Sequence, residues 1–236
     1  GSVLAVFKGR TSVPITTGLS PDNRVAETQQ FTLTVNGFNF NSASVVYFNG
    51  APRATEYNYP TQLRATILPQ DIALAGFFPV TVVNPGEFGG TSNAQTFRVD
   101  NPMPSPEEFS PEFVLKGSPD FELTVTGTKF VSGSKIVWDG VEKETTYISG
   151  GELRATISAS DVVNARFVDI SVSNPPPGGG LYETLDDPLT FEVRNPVPTV
   201  TSIDPPGTSI LDGVEGPDHS FGVPVTIFGT NFEPGA

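Results

Sequence analysis

The chain has 236 residues, no cysteine, one histidine and a formal net charge of −13. That acidity repels phosphate backbones and speaks against nucleic-acid binding; the missing cysteines exclude thiolate nucleophiles, thiolate metal sites and disulfides. No stretch approaches the ~20 apolar residues of a membrane span. With 24 glycines, 23 prolines, 18 phenylalanines and 37% hydrophobic residues, the composition suits short strands and tight turns around a core.

Residues 1–12 (GSVLAVFKGRTS) read as an N-terminal arm, in which Val3, Ala5 and Phe7 suit a short strand or the end of a preceding module. A first repeat follows over residues 13–100. Phe31, Leu33 and Val35 alternate with Thr32 and Thr34, the period of a half-buried strand. Gly37-Phe-Asn-Phe40 then bends the chain, with Gly37 expected to supply a positive φ and Asn39 to tolerate a turn. Ser44 to Phe48 is a β-branched and aromatic run closed by Asn49-Gly50, a type I′ hairpin signal, with a partner strand expected around Arg53 to Tyr57. Leu63, Ala65 and Ile67 alternate again, Pro69 to Ile72 reads as a short helical turn, Val80 and Val82 mark another strand, and Thr96 to Val99 is the last.

The second repeat, residues 101–197, restates this text. Phe121, Leu153 and Asn174 stand at one constant offset from Phe31, Leu63 and Asn84. Phe191 lies four residues further from Phe97, so the loop from Pro175 to Pro188 is read as carrying an insertion, glycine-rich at its start and ending on Asp186-Asp187. The joints Asn101-Pro-Met-Pro104 and Asn195-Pro-Val-Pro198 carry two prolines each, which makes them short and stiff. Residues 198–236 open a third repeat, ending in Val225 to Phe232 (VTIFGTNF), and read as a cut from a longer array. An opening strand pair cannot bury its apolar face alone, so cover is expected from the second repeat, from the 1–12 arm or from a neighbouring molecule, the last by strand exchange through residues 198–236.

Four blocks recur in one order: Leu123-Thr-Val-Thr-Gly-Thr-Lys-Phe130, Val137-Trp-Asp-Gly140, Leu153-Arg-Ala-Thr-Ile157 and Val172-Ser-Asn-Pro175, each with its counterpart in the first repeat. Together they resemble the IPT/TIG family of immunoglobulin-like domains; the second repeat departs from the pattern at Lys129, where the first has Asn39. The resemblance implies an all-β chain of tandem immunoglobulin-like β-sandwiches of the E-set type, about seven strands each, joined by short proline-rich linkers. It also implies a non-catalytic segment of the bacterial surface or secreted type, a rigid spacer or adhesion element with protein or glycan partners. The alternative is a carbohydrate-binding accessory of a secreted glycan-degrading system. The family carries no shared catalytic residues.

The candidate chemistry is sparse. His219 is the only histidine and has no partner nucleophile, so no catalytic residue is assigned. Asp212, Glu215 and Asp218 offer the oxygen ligands calcium takes, as do Asp186 and Asp187, yet the spacing matches no EF-hand; no metal ligand is assigned and calcium is the one cofactor left open. Trp138 and Tyr182 are the ligand-contact candidates: Trp138 as the only tryptophan, although Phe48 at the same place in the first repeat points to packing, and Tyr182 because it sits in the longer loop. Arg64 and Arg154 are expected to be exposed cations on a sandwich face.

Overall fold

The computed structural model describes residues 12–182, 189–204 and 226–232. In the first repeat, β1 (Ile15–Ser20), β3 (Phe31–Phe38), β7 (Gln62–Ile67) and β6 (Thr55–Tyr59) form an antiparallel sheet in that order. A second sheet runs β2 (Asn23–Val25), β10 (Gln95–Asp100), β8 (Gly76–Asn84), β4 (Val45–Phe48), β5 (Ala51–Pro52), with β9 (Gly90–Thr91) paired to β8. Only the β2–β10 pair is parallel among these. Strand alternation turns Leu33, Val35, Leu63, Ala65 and Ile67 inward from one sheet to meet Val46, Phe48, Val80, Val82, Phe97 and Val99 from the other. The result is the sandwich that the alternation in the sequence called for.

The second repeat builds the same two sheets. β11 (Ser105–Ser110), β13 (Phe121–Thr128), β17 (Glu152–Ile157) and β16 (Thr145–Ser149) form one; β12 (Phe113–Leu115), β20 (Leu189–Arg194), β18 (Arg166–Asn174), β14 (Lys135–Trp138) and β15 (Val141–Glu142) form the other, with β19 (Gly180–Leu181) on β18. Pro69–Ile72 and Ala159–Val162 are matching 3-10 turns. The last described elements, β21 (Thr199–Asp204) and β22 (Thr226–Thr230), pair antiparallel with the same bulge as β1 and β3. Ile227 and Phe232 of this hairpin are half exposed, where Val35, Val125, Phe40 and Phe130 of the two sandwiches are buried.

Three readings of the sequence are refined. The Asn49-Gly50 and Asp139-Gly140 turns have positive φ at both positions, as a type I′ hairpin requires. The partner strand, however, is only Ala51–Pro52; by Thr55 the chain has crossed to the opposite sheet, where Thr55 to Tyr59 pairs with β7 and not β4. Gly37 also does a different job from the one expected. The positive φ falls on Asn39, at 63°. Gly37 stays within β3 because β1 comes so close that a Cβ would lie 2.0 Å from the Ile15 carbonyl oxygen. Gly127 and Gly229 meet the same constraint against Ser105 and Thr199.

The insertion falls later in its loop than expected. Ser92 and Tyr182 donate their N–H to the carbonyls of Val82 and Val172, so the repeats remain in step through Tyr182. Gln95 and Leu189 again pair with equivalent residues, Val80 and Ile170. The four extra residues therefore fall within 183–188, and the glycine-rich stretch Pro175–Gly180 is no insertion: Pro85–Gly90 is its full counterpart. Asp186, Asp187, Asp212, Glu215, Asp218, His219, Val225 and residues 1–11 of the arm lie outside the described residues.

Candidate functional site

Trp138 is a core residue. It is 1% exposed, with its ring centroid 5.0 Å from Phe191 and 6.3 Å from Phe121. Its place on β14 turns it between the sheets, as Phe48 on β4 is turned against Phe97 at 5.6 Å. The indole therefore presents no face to a ligand, which corrects its candidacy. Tyr182 is half buried; both its backbone polar groups are engaged, the N–H with Val172 and the carbonyl as acceptor of the Ser171 hydroxyl. The two candidates are not brought together. Arg64 is exposed as expected, while Arg154 is held by Glu152 at 2.8 Å and faces Glu122, and these carboxylates raise its pKa. Among the described residues no group of three or more His, Asp or Glu gathers as a metal site, and no helix is long and apolar enough to cross a membrane.

What the sequence did not reveal is a buried asparagine at the entrance of each sandwich. Asn174 accepts from the Ser134 hydroxyl at 2.6 Å, and its amide donates to the carbonyls of Pro102 and Lys129, both at 2.8 Å. Asn84 repeats this with Ser44, Ser12 and Asn39. Each asparagine is 2–3% exposed and grips the chain segment that leads into its own domain. The only sequence signal was the recurring Asn-Pro at the end of a strand, which reads equally well as turn chemistry.

At the joint between the sandwiches this grip is extended. Asn101 donates its N–H to the Pro177 carbonyl at 2.7 Å and accepts from the Gly179 N–H at 2.8 Å; its side-chain amide donates to the Pro175 carbonyl at 2.8 Å. Gly178 is required there, since a Cβ would lie 2.4 Å from that of Asp100. The first residue of the joint, directly after β10, is thus paired with a loop of the second sandwich. Beside this pairing lies a cleft of about 670 Å³, with Glu27 and Leu74 on the first sandwich and Lys129, Tyr147, Pro176 and Pro177 on the second.

A second recurring device fastens each 3-10 turn. Asp71 takes Arg53 in a two-pronged pair and also accepts the Leu68 N–H at 2.9 Å. In the second sandwich Lys143 holds Asp161 at 2.7 Å, with the Ser158 hydroxyl and N–H on the other carboxylate oxygen. Burial by itself would raise the Asp161 pKa, but the Lys143 and Ser158 bonds outweigh it and hold the carboxyl below its ordinary value. A depressed carboxylate pKa stabilises the fold fully above the unfolded value of 3.8 and loses that contribution as pH falls through the lower folded value. The stability difference between the native chain and Asp161→Asn should therefore be constant near neutrality and shrink once pH drops below 3.8, as urea midpoints across an acid titration would show. A difference that stays constant into acid would contradict the ion-pair account.

The family model of the IPT/TIG domain matches residues 14–99. The first sandwich is an IPT/TIG domain. The second repeats its strand order, its bulge positions and its buried asparagine, so the IPT/TIG plan occurs twice in tandem, with a third opening hairpin. Among solved structures, the ICAM-5 D1–D4 ectodomain fragment shares 15% identity over 81% of this chain and 56% of its own, with a TM-score of 0.51. At that identity the likeness is one of fold. Plexin A4, in its full extracellular region, shares 18% identity over 85% of this chain and 17% of its own, with a TM-score of 0.35. A structure solved with a xylogluco-oligosaccharide shares 17% identity over 94% and 47%, with a TM-score of 0.49. The chain thus spans less than two thirds of each of these structures. No curated protein matches it.

Proposed function

We propose that the chain is a non-catalytic extracellular spacer and interaction segment of a bacterial surface or secreted protein, in which IPT/TIG domains are held in line to present other parts of the molecule. The observation that carries this reading is the joint. A linker that is already stiff through Pro102 and Pro104 is further fixed by the three Asn101 bonds and by Asn174 on Pro102. Bonds of this kind contribute about 1 kcal/mol each, enough together to suppress free rotation between the sandwiches. The acidic surface, at −13, supports solubility outside the cell, and the IPT/TIG plan supplies sandwiches without catalytic residues.

The absence of cysteine makes a direct test simple. Cysteines introduced at the exposed, equivalent positions Glu56 and Thr146 would carry spin labels, one on each sandwich. A narrow distance distribution is expected, broadening when Asn101→Gly is added. A distribution in the unaltered joint as broad as that of a glycine-serine linker would rule out the spacer reading. A second reading, the carbohydrate-binding accessory, draws on the cleft at the same joint.

A further inference from the structure

The cleft is where the second sandwich departs from the plan it shares with the first. Asn39, Lys129 and Asn231 occupy one position in the three repeats, all with φ near the left-handed value, at 63°, 62° and 62°. Asparagine suits that conformation, and a lysine does not. Asn39 and Asn231 use their amides to hold the entering chain, at the carbonyls of Val13 and Val197. Among the described residues Lys129 makes no such bond; it lines the cleft instead. Here a strained backbone is kept while the bond that justifies it elsewhere is given up, a pattern that points to function more than to stability.

Two further changes fall on the same wall. Pro176 and Pro177 stand where the first repeat has Gly86 and Glu87, and their rings line the cleft beside Tyr147, which is 41% exposed. Facing them across the joint are Glu27 and the largely exposed Leu74. The volume, about 670 Å³, is within the range of ligand sites, and a domain junction is a common place for one.

The chemistry narrows the ligand. A partly exposed tyrosine ring and two adjacent prolines on one wall of the cleft give it apolar surface of the kind that takes the C–H face of a pyranose. Lys129 supplies donors and Glu27 acceptors, which together match hydroxyl groups that both accept and donate. Their opposite charges cancel, which favours a neutral ligand, and the net charge of −13 disfavours a polyanion. We infer that the cleft between the two sandwiches binds a neutral oligosaccharide, with one sugar ring on Tyr147 and its hydroxyls engaged by Lys129 and Glu27. This rests on the carbohydrate-binding reading and gives it a site.

The test is calorimetric titration of the whole chain with malto-, cello-, xylo- and manno-oligosaccharides, an oligogalacturonate and a proline-rich peptide. Saturable binding of at least one neutral series is expected. It should weaken about tenfold or more in Tyr147→Ala and severalfold in Lys129→Asn, and be unchanged in Tyr57→Ala, the equivalent tyrosine outside the cleft. Lys129→Asn installs the residue that the other repeats carry at this φ, so it keeps the test decisive if Tyr147→Ala unfolds. Binding that survives both cleft variants would overturn the site while leaving carbohydrate binding itself standing. Failure of every neutral series, or binding of the oligogalacturonate or the peptide in their place, would overturn both.

Discussion

Asn174→Leu is expected to destabilise the second sandwich by about 2–4 kcal/mol, although leucine keeps the branching and the number of side-chain heavy atoms. The side chain is buried and makes three hydrogen bonds, to Ser134, Pro102 and Lys129. Removing it leaves two backbone carbonyls and a hydroxyl without that partner, and a buried polar group stripped of its partner costs more than a typical bond contributes. Pro102 belongs to the linker, so the same change should also widen the distance distribution between the two sandwiches. The measurement is favourable because Trp138, the only tryptophan, lies in the core of this sandwich, so its fluorescence in urea reports on that domain alone. A loss below about 1 kcal/mol, or a joint left as narrow as before, would show that the asparagine is not the clamp.

Trp138→Ala should cost more, about 3–5 kcal/mol, the range for deleting a buried large aromatic. The ring is enclosed by Phe121, Phe191 and the aliphatic strands of both sheets, and rigid strands on either side cannot collapse into the space left behind. Trp138→Phe should cost far less. The first sandwich holds Phe48 at that place, and the buried indole N–H of Trp138 has no acceptor among the described residues. Calorimetric unfolding of both variants separates packing from any ligand role: a ligand-contact tryptophan would leave the melting temperature of the alanine variant unchanged.

The alternation of Leu33, Val35, Leu63, Ala65 and Ile67 marked inward faces because side chains of a strand alternate across it, and those residues are buried. Asn49-Gly50 and Asp139-Gly140 were readable because the turn type follows from which residues accept a positive φ. Gly37 departs from its local expectation for a related reason. Local rules explain a glycine by its own dihedral angles, whereas this one answers to a carbonyl of β1 more than twenty residues away in sequence. The short β5 was also beyond local reading, since whether a strand stays with its hairpin partner or crosses to the other sheet depends on what each sheet offers it.

The candidate site was the least legible part. Tyr182 is a candidate through loop length alone, yet the repeats remain in register through that residue and diverge only after it. Tyr147, Lys129 and Glu27 come from three separate stretches, and nothing in any of them announces a cleft. The repeat, the inward faces of the strands, the hairpin turns and the stiffness of the proline joints are written in the sequence, because each follows from side-chain alternation or from the dihedral preferences of neighbouring residues. The enclosure of Trp138, the hold of Asn84 and Asn174 on the chain entering their domains, and the wall of the joint rebuilt around Lys129 emerge from the packed fold. Each of those depends on atoms brought together from distant parts of the chain, a proximity set by packing one sheet on another and one domain against the next.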